Sequence, residues 1–178
     1  MPSVFLSPSL QEFNPVYGGG NEEYYMNLIA DAMEPYLRAS GITVVRNSPE
    51  QTLRQAIDQS NQGNYDLHFA IHSNAAAAPN AGRVQGADFY YYPTSTRGKN
   101  AADILSENYK SVYPNRVQVI PTTSLAEVRQ TKAPAVLAEV AYHDNPQEAQ
   151  WIRENIDTIA RNLSEGIADF LNVPFVEP

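Results

Sequence analysis

The 178-residue sequence has no cysteine. That excludes disulfides, iron–sulfur clusters and thiolate zinc sites, so any metal must be held by His, Asp, Glu or an amide oxygen. Histidine is scarce, with only His68, His72 and His143. No apolar run approaches the roughly 18 residues that a membrane-spanning helix needs. The opening Met1-Pro2-Ser3-Val4-Phe5-Leu6 has neither a basic region nor a long apolar stretch, and no secretory signal is read there. Basic residues are few, 12 against 20 acidic ones, for a net charge of −8. Unspecific binding to nucleic acid or to an anionic membrane is therefore not expected. The Gly-x-Ser-x-Gly elbow, the phosphate loop ending in Gly-Lys-Ser/Thr and the Gly-x-Gly-x-x-Gly pattern are all missing.

What is present describes one globular domain. Apolar residues make up 43% and charged residues 18%, in a chain long enough to bury a single sizeable core. Residues 3–7 read as a first strand, followed by a loop with Pro8, Pro15 and Gly18-Gly19-Gly20. Asn21 can cap a helix whose Met26, Ile29, Met33 and Leu37 recur at helical spacing. Pro35 should kink that helix or start a second piece. Further strands are expected over 42–45, 65–72, 88–92, 116–120 and 135–140, and helices over 49–62, 99–112 and 145–171. This alternation predicts an α/β fold. We expect a single three-layer domain with a mostly parallel, mixed central sheet of about six strands and helices on both faces. The domain should span 3–172, with 173–178 as a C-terminal tail. In such sheets chemistry collects at the carboxyl ends of strands.

That filter selects few groups. His72 closes the third strand, where apolar residues give way to Ser73-Asn74-Ala75. It reads either as a ligand at an open mouth or as a hydrogen-bonded boundary residue. His68, one pleat pair earlier, reads as a satisfied interior histidine. Glu139 is embedded in Ala-Val-Leu-Ala-Glu-Val-Ala. A carboxylate there is costly unless it is paired, metal-bound or functional. Desolvation would raise its pKa toward that of a general base near neutrality, while the structural alternative is an ion pair with Arg129 or Arg46. Glu22 and Glu23 suit a first helical turn, and the glycine loop before them lets backbone pass close to a site. The aromatic run Phe89-Tyr90-Tyr91-Tyr92 reads as sheet packing.

The order of these elements resembles the zinc-dependent N-acetylmuramoyl-L-alanine amidases, the catalytic domain of many cell-wall hydrolases. The resemblance runs from about Val4 to about Asn172. Tyr65-Asp66-Leu67-His68-Phe69-Ala70-Ile71-His72-Ser73-Asn74-Ala75 is similar to the family's Ala-Asp-Leu-Phe-(Val/Ile)-Ser-Ile-His-(Ala)-Asn-Ala segment. Ala133 to Tyr142 resembles the strand that carries the family's catalytic glutamate. Asn145, the Gly41–Arg46 strand, Gly86–Tyr92 and Leu125–Thr131 fit the same frame.

The resemblance implies a hydrolase acting on the amide between N-acetylmuramic acid and L-alanine of peptidoglycan. Glu139 would be the base. Zn2+ would be the cofactor, held by His72 and by Glu23, with Glu22 the alternative one residue earlier. Asn74, His143 and Arg129 would meet substrate. The family's first histidine ligand falls on Leu10, which cannot bind metal, so Gln11 is the expected third ligand and His143 the alternative. The missing histidine leaves a second reading, a catalytically impaired domain that binds peptidoglycan without cutting it. The implied setting is a monomer acting at the bacterial cell wall, outside the cell, with no nucleic-acid or membrane partner.

Overall fold

The computed structural model describes residues 1–178. Six strands form one sheet in the order β2-β1-β3-β6-β4-β5. They are β1 (Ser3–Pro8), β2 (Thr43–Arg46), β3 (Leu67–Asn74), β4 (Ala87–Tyr91), β5 (Val117–Pro121) and β6 (Ala135–Tyr142). The helices are α1 (Glu22–Ala39), α2 (Leu53–Gln62), α3 (Thr96–Tyr109), the single turn α4 (Ala126–Arg129), α5 (Pro146–Glu154) and α6 (Ile156–Phe170). Neighbouring strands are parallel except at β4–β6, which is antiparallel, so the sheet is mixed as expected.

Strand periodicity decides which residues face which layer. Leu67, Phe69 and Ile71 of β3 join Val4 and Leu6 of β1 and Val136, Ala138 and Val140 of β6 in the main core, under α1, α3 and α6. The alternate residues point the other way. Ala70 and Leu137 form a small second cluster with Val128 of α4. His68, His72 and Glu139 share that thinner face. A face built for aliphatic packing thus lies back to back with one that carries ionisable groups.

Two local expectations are revised. α1 runs unbroken through Pro35. The carbonyl that loses its partner to proline belongs to the exposed Asp31, four residues back, where solvent can satisfy it. The stretch 145–171 is two helices, because Asn155 leaves helical backbone angles and donates its side-chain amide to the Trp151 carbonyl at 2.8 Å. The C-terminal residues pack on α1, with Phe175 stacked on Tyr36 at 5.9 Å and the Val176 N–H donated to Ser40 Oγ at 2.9 Å. No helix is long and apolar enough to cross a membrane.

Asn145 joins local and long-range order. Its Oδ1 accepts the N–H groups of Gln147 and Glu148, and its Nδ2 donates to the Gly82 carbonyl at 3.2 Å. Asn145→Ala is expected to lower unfolding free energy by about 1–2 kcal/mol in urea titration. A midpoint within error of the parent would show that this cap carries no stability.

Candidate active site

The site grows from a loop that only glycine can close. Gly18, Gly19 and Gly20 all take positive φ, at 86°, 121° and 78°. Such angles strain residues with a Cβ. The turn is clasped by Val16 N–H to the Gly20 carbonyl and Gly19 N–H to the Val16 carbonyl, both at 3.0 Å. It returns the chain so that Glu22 N–H donates to the Asn14 carbonyl at 2.9 Å. The Glu22 side chain, 1% exposed, therefore starts α1 beneath the loop instead of in solvent.

From there a buried polar chain crosses the second face of the sheet. Asn14 Nδ2 donates to Glu22 Oε2 at 2.8 Å and to Gln11 Oε1 at 2.7 Å. Glu22 Oε1 meets His72 Nδ1 at 3.0 Å. His72 Nε2 meets Glu127 Oε2, also at 3.0 Å. Glu127 Oε1 meets His68 Nε2 at 3.1 Å and accepts a hydrogen bond from the Ser7 hydroxyl. His68 Nδ1 ends the chain on Ser60 Oγ of α2 at 2.8 Å. His68 is also stacked on Phe5, with centroids 5.3 Å apart.

Burial and partners act on these groups in opposite directions. Burial lowers the affinity of His72 for its proton, but the hydrogen bonds of Glu127 and Glu22 prevail and hold its pKa well above the ordinary value. Burial raises Glu127 and Glu22, yet their histidine partners bring both below the usual carboxylate range. An imidazolium between two carboxylates accounts for both directions.

Glu139 behaves differently. Its Oε2 is shielded from solvent and has no hydrogen-bond partner. Burial pushes its pKa up to about 7, with Glu22 and Asp88 adding to the rise and His72 opposing it. Neither arginine considered as a partner reaches it. Arg46 pairs with Asp31 and Glu34, and Arg129 donates to the Thr123 carbonyl at 2.7 Å. Glu139 and His72 are register partners on adjacent strands. Both line a cavity of about 400 Å³ with Gln11, Glu127 and an apolar wall that includes Leu10, Phe13, Leu53, Leu125 and Leu137.

The structure brings Glu139, His72 and Gln11 together. Glu22, not Glu23, stands with them; Glu23 lines a separate groove beside Asn27 and Arg46. The helical period decides this, since only one of two consecutive residues can face inward. His143 is turned away, its Nδ1 on Ser73 Oγ at 2.9 Å. Asn74 is used locally, its Oδ1 accepting the Ala75 N–H at 2.9 Å. Arg129 lies outside the cavity, on the far side of α4. Glu127, Asn14 and Ser7 are the additions that sequence reasoning missed. Glu127 sits in a four-residue helix, too short for a periodic signal, and meets histidines 55 and 59 residues away.

No three His, Asp or Glu side chains cluster to hold an ion, whereas zinc sites usually offer three strong side-chain donors. Two strong donors, Glu22 and His72, do meet, and the Gln11 amide lies beside them, its Nε2 3.4 Å from His72 Nδ1. Glu127 at Nε2 is the kind of outer carboxylate that orients a ligating histidine. The donor set of imidazole, carboxylate and amide fits a divalent ion, with less grip than three strong donors.

The family model for N-acetylmuramoyl-L-alanine amidase matches residues 12–169.

The chain belongs to the N-acetylmuramoyl-L-alanine amidase family.

Among curated relatives of this amidase family, it is 24% identical to N-acetylmuramoyl-L-alanine amidase LytC of Bacillus subtilis, over 94% of this chain and 35% of that protein. It is 28% identical to the probable cell wall amidase LytH of Staphylococcus aureus, over 86% of this chain and 50% of that one. The chain thus spans about a third to a half of these relatives. The amidase AmiC2 of Nostoc punctiforme shares the fold with a TM-score of 0.82 at 19% identity, covering 96% and 97% of the two chains. Cwp6 from Clostridium difficile does so with 0.83 at 24% identity, over 96% of this chain and 29% of that one.

Two outcomes follow from the buried groups. Between pH 4.5 and about 7 native Glu139 holds a proton that the unfolded chain has released. Its contribution to stability therefore falls as pH rises through that window and levels off above it. In chelator-containing buffer, Glu139→Gln should gain about 1–3 kcal/mol over the parent at pH 8 and little at pH 4. A gain that is the same at both pH values would contradict the raised pKa. Glu127→Ala should lose about 3–5 kcal/mol in urea titration, because it strands buried imidazoles. A loss under about 1 kcal/mol would show that the network is not coupled to folding.

Proposed function

We propose that this domain hydrolyses the amide between N-acetylmuramic acid and L-alanine in peptidoglycan, at the bacterial cell wall. The observation that carries the reading is Glu139. It is a carboxylate without a hydrogen-bond partner on its buried oxygen, raised to about 7, at the edge of a cavity in a chain of the amidase family.

Amide hydrolysis needs a base that is part ionised at neutral pH and can later return its proton. Glu139 meets both requirements. Its ionised form takes a proton from water as the oxygen attacks the carbonyl. Its protonated form delivers that proton to the departing amine, so the L-alanine nitrogen leaves neutral. Apolar walls around the cavity keep bulk water from levelling the pKa of Glu139. Glu127 holds His72 from behind, while Asn14 orients Glu22 and Gln11. Gln11, Glu22 and His72 are the residues that would hold Zn2+ or another divalent ion. When bound, such an ion polarises the scissile carbonyl and acidifies water.

Incubation with purified peptidoglycan should release new alanine amino termini, measured by amine labelling and mass spectrometry. Glu139→Gln should lower kcat by about 10²–10⁴-fold with little change in KM. Saturable binding to peptidoglycan with no new amino termini, in buffer supplied with zinc, would replace this reading with a binding domain. Gln11→Ala should weaken zinc uptake in equilibrium dialysis and shrink the thermal stabilisation that zinc confers. Unchanged uptake would remove Gln11 from the ligand set.

A further inference from the structure

Most cations of this acidic chain are neutralised where they stand. Seven of its twelve Lys and Arg side chains lie within 4.0 Å of a carboxylate: Arg38, Arg46, Arg54, Lys99, Lys110, Arg116 and Arg161. The other five are Arg83, Arg97, Arg129, Lys132 and Arg153. Three of those five, Arg97, Arg129 and Lys132, line a single groove of about 450 Å³. No Asp or Glu lines it, whereas hydroxyl-bearing Thr94, Ser95, Thr96 and Thr131 do. In a molecule of net charge −8, such a gathering is a local reversal of sign.

Its position follows from the topology. β4 runs against β6, so the chain leaves β4 at the end of the sheet where β6 begins. Residues after β4 and before β6 therefore meet there. α4 divides this groove from the catalytic cavity. Its Ala126 and Glu127 face the cavity, while Val128 and Arg129 line the groove. Arg129 is braced by the Thr123 carbonyl at 2.7 Å, and the Arg97 guanidinium lies 5.7 Å from the Phe170 ring centroid. The Lys132 ammonium has neither a hydrogen-bond nor an ion-pair partner within the chain. Planar guanidinium forks and a compact ammonium beside hydroxyl donors suit a tetrahedral phosphate oxyanion.

We propose that this groove is a phosphate-binding site, filled either by free phosphate or by the phosphodiester groups of an anionic polymer. The net charge of −8 disfavours contact with such a polymer elsewhere, so contact is favoured where three cations without a carboxylate partner gather. The inference does not depend on the hydrolytic reading, since Glu139 and His72 lie in a separate cavity.

Calorimetric titration of the full chain at low salt, with inorganic phosphate and with soluble poly(glycerol phosphate), tests it. Saturable binding that weakens about tenfold or more in the Arg129→Glu/Lys132→Glu variant is the expected result. Tighter binding of the polymer per phosphate group assigns the site to a phosphodiester chain, and equal binding assigns it to the free ion. Circular dichroism checks that the double variant is folded; if it is not, Lys132→Gln carries the test, with a smaller loss expected. No binding of either probe, polyglutamate binding as tightly as the phosphate polymer, or variants that bind like the parent would overturn the proposal.

Discussion

The polar order of the second face of the sheet depends on the enclosure of His72 between Glu22 and Glu127. Each contact is 3.0 Å long, and all three side chains are buried. Burying a lone charge of this kind would be prohibitive. A cation flanked by two anions, each holding further hydrogen bonds, is tolerable because no member is left unmatched. The second face of the sheet is therefore organised by charge balance, whereas the first is organised by aliphatic packing.

The surrounding architecture can be read as support for that arrangement. The glycine turn exists to present Glu22 from outside the sheet. α4 exists to present Glu127 from the opposite side. β3 holds both histidines on one pleated face, so that one carboxylate, Glu127, spans them. Glu139, on the neighbouring strand, shares the enclosure but not the network. That exclusion leaves it desolvated and free to titrate near neutrality.

Periodicity made most of this fold legible. The alternation in Leu67–Asn74 and the apolar run before Glu139 carried strand identity and facing, because those are local consequences of side-chain spacing; the order of the strands in the sheet is long-range and was not written there. The same logic reached His72 and Glu139, which sit on regular strands. It was weaker where regularity ends. Choosing between Glu22 and Glu23 needs the helix phase to within one residue, and that phase is set by a loop whose hydrogen bonds are not written in any repeat. Asn145–Leu171 reads as one helix until the Asn155 side chain is seen to claim a backbone carbonyl. Glu127 lay beyond sequence reasoning because its significance is wholly long-range. Arg129, expected near substrate, differs from Glu127 by two positions, enough on a single turn to place it in another groove.

The sharing of Glu127 by two histidines carries a consequence for how such a domain can change over time. His68, His72 and Glu127 share one buried chain of hydrogen bonds, so replacing any one of them removes a buried hydrogen bond from a neighbour. Their substitution effects should be strongly non-additive. A path from this arrangement to an apolar packing at the same positions has no comfortable single step.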